Sequence, residues 1–139
     1  MSNLIPAALR DLLDAPIVAA LATILPDGQP QVTPVWCSYD GTHVVVNATA
    51  DRQKHRNMVE RPRVTLMVVD PDNQFRYVEI RGIVDEITAE GGGESMDSLS
   101  LLYTGQHKRY GIEAPPRDES ERLLYKILPV RVSFNPLTR

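Results

Sequence analysis

Apolar and polar positions follow two periods along this chain, and the switches between them mark its elements. Ala8, Leu9, Leu12 and Leu13 give one apolar face at helical spacing over residues 6–14, with Pro6 tolerated in a first turn and Pro16 ending it. Residues 17–24, IVAALATI, are apolar on both faces and predict a buried strand. The Asp27-Gly28 pair then predicts a tight hairpin into a second strand, QVTPVWCSYD over 31–40. Pro34 lies inside that strand and cannot donate to a ladder, which predicts an edge or a bulge. A second Asp-Gly turn, Asp40-Gly41, leads into THVVVNAT over 42–49, so the three strands read as a β-meander.

Asp51 is placed to cap a polar helix over residues 52–61 that Pro62 terminates, with only Met58 and Val59 to bury. Residues 63–70 predict a strand, and residues 75–88 a long one with alternation through Tyr77, Val78, Glu79, Ile80 and Arg81. Gly82 predicts a bulge in it. Gly91, Gly92 and Gly93 read as a flexible break, followed by helical spacing at Met96, Leu99, Leu102 and Tyr103. The stretch 104–121 reads as a polar loop, and 122–135 as a closing strand with Pro129 at a bulge or edge. About six strands without βαβ alternation exclude a Rossmann sheet and leave an antiparallel barrel or sandwich.

Composition narrows this further. Of the 139 residues 42% are hydrophobic, which supports one packed domain spanning 1–139 rather than a disordered chain. The single cysteine, Cys37, leaves no disulfide within the chain and points to a reducing compartment. No apolar run approaches the about 20 residues of a membrane span, and the N-terminus lacks a signal-peptide pattern, so a soluble, cytoplasmic protein is expected. A net charge of −3 argues against general nucleic-acid binding. The three histidines are far apart and lack metal-ligand spacing, so no metal is expected.

The basic residues are clustered. Arg52, Lys54, Arg56, Arg61 and Arg63 fall within twelve positions, at a strand-to-helix junction where free N–H groups and the helix dipole favour an anion. Arg52 brings a planar fork suited to phosphate oxygens and Lys54 a point charge. The plain alternative is a solvated helix face, and the residues alone leave both open. Thr33, Asn47 and Thr49 are small polar residues in or beside apolar strands, able either to bond a heteroaromatic edge or to satisfy the ladder. A lesser basic group, His107, Lys108 and Arg109, stands in the polar loop. No residue stands out as nucleophile or general acid, so the catalytic residues stay unknown.

The ordered motifs LATILPDGQPQVTPVWCSYDG, VVVNATADRQKHRNMVERPRVTLMVVDP and YVEIRGIVDEI resemble the flavin-binding split-barrel family related to pyridoxamine 5′-phosphate oxidase. Within that family the chain is most similar to short members that use the deazaflavin coenzyme F-420. The resemblance covers about residues 8–90, with a weaker echo in the closing strand. It implies a mainly β fold, a six-stranded antiparallel split barrel with a few short helices, working as a homodimer with cofactor at the interface. It also implies cofactor contacts from Thr33, Pro34, Val35 and Trp36, from Asn47, Ala48 and Thr49, and from Arg52, Lys54 and Asn57, with Arg76 and Tyr77 near a further contact region.

The expected activity is hydride transfer from reduced F-420 to a conjugated C=C or C=N bond of a small organic substrate, an oxidoreductase acting on CH–CH groups. The alternatives are an FMN-binding flavin reductase or electron carrier, and a non-catalytic binder of a cofactor or tetrapyrrole. Continuation of the basic cluster to Arg56, Arg61 and Arg63 favours F-420, whose acidic tail would use an extended track. The missing C-terminal substrate pattern of pyridoxamine-phosphate oxidase argues against that reaction.

Overall fold

A computed structural model describes residues 4–105 and 121–135. A single turn of 3-10 helix over Ala7–Leu9 leads into α1 (Asp11–Asp14), followed by β1 (Ala19–Ile24), β2 (Pro30–Val35), β3 (Cys37–Tyr39), β4 (Val44–Thr49), α2 (Gln53–Glu60), β5 (Arg63–Val69), β6 (Tyr77–Thr88), α3 (Gly92–Thr104) and β7 (Arg122–Phe134). The seven strands form one antiparallel sheet in the order β2-β1-β5-β6-β7-β4-β3. The fold is therefore mainly β, as expected, with seven strands in place of six.

The extra strand comes from a break at Trp36, which divides residues 31–40 between two distant ladders. Up to Val35 the segment pairs with β1, from Val35 opposite Ala19 to Pro30 opposite Ile24; from Cys37 it pairs with β4. The expected meander is thus corrected. The first two strands form a hairpin at one edge of the sheet, and the third belongs to the opposite edge. Because β2 and β3 are joined by Trp36 alone, the two edges must approach each other, and the sheet curls into a split barrel.

Local chemistry explains much of the rest. Gly28 and Gly41 take the positive φ that both Asp-Gly turns require, 91° and 98°. Pro34 sits on an edge strand. Gly82 marks a real irregularity: the β6–β7 register shifts between Arg81 and Gly82, and Val130 is the extra residue on β7. A Cβ at Gly82 would lie 2.6 Å from both Ile127 Cγ2 and the Leu128 carbonyl oxygen. Pro129, opposite Gly82, lies just beyond the last residue that β7 pairs with β4, so it displaces no ladder bond on that side.

The core fills the inside of the curl. Leu21, Leu66, Val68, Val78, Ile80, Tyr125, Ile127, Val44 and Val46 are nearly or fully buried, with Leu12 and Leu13 of α1 and Met58 of α2 packed against them. Two expectations about helices change. Asp51 does not cap α2; it accepts a hydrogen bond from Thr49, and Arg52 occupies the N-cap without a side-chain bond. The three glycines are not a break: Gly91 is the N-cap of α3, and Gly92 and Gly93 are its first residues.

Candidate functional site

The junction at Trp36 opens a cleft of about 280 Å³ between the β2–β3 segment, β4, the start of α2 and the inner side of α3. Its apolar wall comprises Val18, Pro34, Val35, Trp36, Ala48, Met96 and Leu99, and its polar side Asn47, Arg52, Lys54 and Arg122. No carboxylate stands among these described lining residues. Burial pushes the Lys54 ammonium pKa down, and the guanidinium groups of Arg52 and Arg122 push it further. Lys54 Nζ donates to Thr33 Oγ1 at 3.1 Å, a neutral partner that does nothing to offset its charge. A half-buried cation beside two others favours an anion.

Side-chain bonds fix the cleft's walls. Asn47 Nδ2 donates to the Gly92 carbonyl at 2.9 Å, and Arg122 Nε donates to Asn47 Oδ1 at 2.7 Å. This links β4, β7 and the start of α3 at one point. A Cβ on Gly92 would collide with the Arg122 carbonyl, so the helix can begin against β7 only with glycine there. At the other end of α3, Tyr103 stacks on Trp36 with ring centroids 4.9 Å apart. Its hydroxyl donates to Ile17 O at 2.9 Å and accepts from Cys37 N at 3.4 Å. Burial pushes the Tyr103 phenol up to about 12 and the Cys37 thiol up to about 12, so neither ionises near neutrality.

Seven of the residues named from sequence line this cleft: Pro34, Val35, Trp36, Asn47, Ala48, Arg52 and Lys54. Thr33 stands behind Lys54 as its hydrogen-bond partner. Thr49 is buried and bonded to Asp51. Asn57 is fully buried beneath α2, where its amide donates to Thr23 Oγ1 at 2.9 Å and to Gln31 Oε1 at 3.2 Å. It pins the helix that carries Lys54 rather than facing the cleft.

Arg76 and Tyr77 do not line it either. Arg76 joins Asp70 at 3.0 Å and Asp11 at 2.5 Å, and its guanidinium also donates to Ala8 O at 2.8 Å, stapling the N-terminal segment to the β5–β6 turn. The extended basic track is also corrected. Arg56 turns to Gln53 Oε1 at 2.7 Å and Arg61 to Ile24 O at 2.7 Å, while Arg63 belongs to another cavity. His107, Lys108 and Arg109 lie outside the described residues.

Sequence reasoning missed Arg122, Val18, Met96 and Leu99. The one available signal for Arg122 was an arginine heading an otherwise apolar strand. Met96 and Leu99, at i, i+3, were legible as a helix face but not as one meeting the cleft. Among the described residues no group of three or more His, Cys, Asp or Glu side chains could hold a metal, and no helix is long and apolar enough to cross a membrane.

The model of the family described as pyridoxamine 5′-phosphate oxidase matches residues 5–135. The chain belongs to this family. No curated protein matches it. A solved structure described as an F420 reductase is 36% identical, covers 93% of this chain and 98% of its own, and superposes with a TM-score of 0.80. A conserved hypothetical protein from Mycobacterium tuberculosis is 28% identical over 95% of this chain and 86% of its own, with a TM-score of 0.71. A putative pyridoxamine 5′-phosphate oxidase from Lactobacillus delbrueckii is 16% identical over 95% of each chain, with a TM-score of 0.63, and shows the shared fold alone. This member of the oxidase family therefore keeps the family's split barrel along nearly its whole length.

Proposed function

We propose that this protein is an oxidoreductase that binds the deazaflavin coenzyme F-420 in the cleft beside Trp36. The observation that carries the reading is a cationic end, Arg52, Lys54 and Arg122, joined to an apolar slot that contains no described carboxylate. That donor set suits a phosphate attached to a flat, largely apolar ring system. The 36% identical F420 reductase, matched over nearly all of both chains, supports the same choice.

Held there, the deazaflavin would supply hydride chemistry toward a conjugated C=C or C=N bond of a small organic substrate. This chain's residues hold and shield it. Arg52 and Lys54 would clamp the phosphate, and Val35, Trp36 and Ala48 would exclude water from the ring. The Trp36–Tyr103 stack fixes the indole that walls the slot. At about 280 Å³ the cleft is slightly below the ~300–1,000 Å³ of ligand sites in general. A homodimer in which a second copy completes the enclosure is the assembly that the family resemblance implies.

FMN is the second reading, favoured by a specific feature. The cations end at the cleft because Arg56 and Arg61 are bonded elsewhere, a pattern suited to a terminal phosphate. Fluorescence titration of cofactor-free protein with F-420 and with FMN, at low and high salt, separates the two. Tighter, salt-sensitive binding of F-420 is the expected result. Preference for FMN would move the protein to flavin chemistry, and binding of neither overturns the cofactor reading.

A further inference from the structure

A second cavity, of about 530 Å³, lies over β1, β5, β6 and β7. Its lining includes Arg63, Thr65, Arg81 and Arg131, with Ala22 and Gly82 among its small residues. The concavity follows from local structure. Gly82 carries no Cβ, and the extra residue Val130 bends β7 at that point.

The same bulge has an electrostatic result. It sets Arg131 directly opposite Arg81 across the antiparallel β6–β7 pair, and Thr65 directly opposite Arg81 on the other side. Like charges at directly opposed positions destabilise a sheet. Glu79 meets Arg81 at 3.3 Å, but among the described residues neither Arg63 nor Arg131 has an ion-pair partner. Three arginines thus line one hollow, with no carboxylate among its described lining residues. An anion bridging Arg81 and Arg131 would turn the opposed pair from a repulsion into a pair of charge-assisted hydrogen bonds.

We propose that this hollow is a second ligand site, for a small oligoanion bearing phosphate or carboxylate groups, read by Arg63, Arg81 and Arg131. It is separate from the Trp36 cleft and does not depend on the cofactor assigned there. Arginine forks match the planar geometry of such oxyanions, and Thr65 adds a neutral donor.

The test uses the full chain carrying Lys54→Met, which weakens the cleft as a competing anion site. Inorganic tripolyphosphate and citrate are the probes. Binding is followed by the Nε–H signals of the arginines in NMR and by thermal unfolding. Saturable shifts at Arg63, Arg81 and Arg131 are expected at near-physiological salt, with a rise in Tm. Arg131→Gln should weaken tripolyphosphate binding ~10-fold or more, the loss of a charge-assisted contact. It should also leave the anion-free protein as stable as before or more so, because the opposed charge is gone.

Shifts that do not saturate, or that survive Arg131→Gln unchanged, overturn the proposal. A variant that loses Tm without anion and changes oligomeric state in sedimentation also overturns it, by marking the hollow as a contact between copies. Citrate bound in place of tripolyphosphate, with the same arginine dependence, supports the site and assigns it to carboxylates.

Discussion

Replacing Lys54 by methionine separates charge from packing at the cleft. Methionine keeps an unbranched apolar stem and removes the ammonium. Lys54 is half-buried, its bonded partner is the Thr33 hydroxyl at 3.1 Å, and its neighbours Arg52 and Arg122 repel it. Its loss should therefore leave the ligand-free fold intact. A lysine whose pKa is lowered by folding opposes folding while charged, and stability rises as pH climbs through the lowered value toward ~10.4. At pH 7 the variant's Tm should equal or exceed that of the parent.

Ligand affinity should move the other way. A hydrogen bond to a charged group contributes about 1.5–3 kcal/mol, so a phosphate-bearing flavin or deazaflavin should bind roughly 10- to 150-fold more weakly. The difference should shrink at high salt, because screening weakens the parent more than the variant. Fluorescence titration at two salt concentrations, beside calorimetry of the ligand-free proteins, measures both effects. An affinity within twofold of the parent, or a lowered Tm with unchanged affinity, refutes the placement of the phosphate at Lys54.

Other perturbations have equally definite outcomes. Gly82→Ala forces a methyl against Ile127 and the Leu128 carbonyl, and should cost about 1–3 kcal/mol in urea unfolding. Asn57→Leu strands the buried Thr23 hydroxyl and frees the Gln53 amide, and should cost about 2–4 kcal/mol while loosening α2 and weakening cofactor binding. Tyr103→Phe keeps the stack on Trp36 but removes the bond to Ile17 O, so a loss of about 1 kcal/mol with near-normal tryptophan fluorescence is expected. Arg76→Met removes the hydrogen bond that holds the Asp11 carboxyl pKa down, and the lesser of the two main bonds that lower Asp70, whose largest is from the Asp72 N–H. That stabilisation is present above the usual carboxylate range and fades as pH falls below about 4, so stability curves of parent and variant should converge in acid.

The sequence exposed what short-range chemistry decides. The two Asp-Gly pairs need positive φ, Pro34 needs an edge, and Gly82 needs a close neighbour; each feature depends on a few adjacent residues, and each was readable. The break at Trp36 was not, because it arises only when β1 and β4 claim the two halves of one segment from opposite edges of the sheet. Much of the candidate site follows the same division. Arg52 and Lys54 stood out as a local cluster. Arg122 did not, since it reaches Asn47 across 75 positions of chain, and Asn57 gave no hint that it would face the barrel's interior rather than a ligand.

The edge formed by β2 has a consequence for self-association. An exposed edge strand offers a row of unpaired N–H and C=O groups to any extended chain, the usual start of fibril growth. Here two of the six residues, Pro30 and Pro34, have no N–H to offer, and Val32 between them is exposed. A chain adding itself there would find its carbonyls facing proline rings at both ends of the strand. The residues that let β2 end the sheet therefore also protect an apolar edge from becoming a template, and replacing both prolines should shorten the lag before thioflavin-positive aggregates appear.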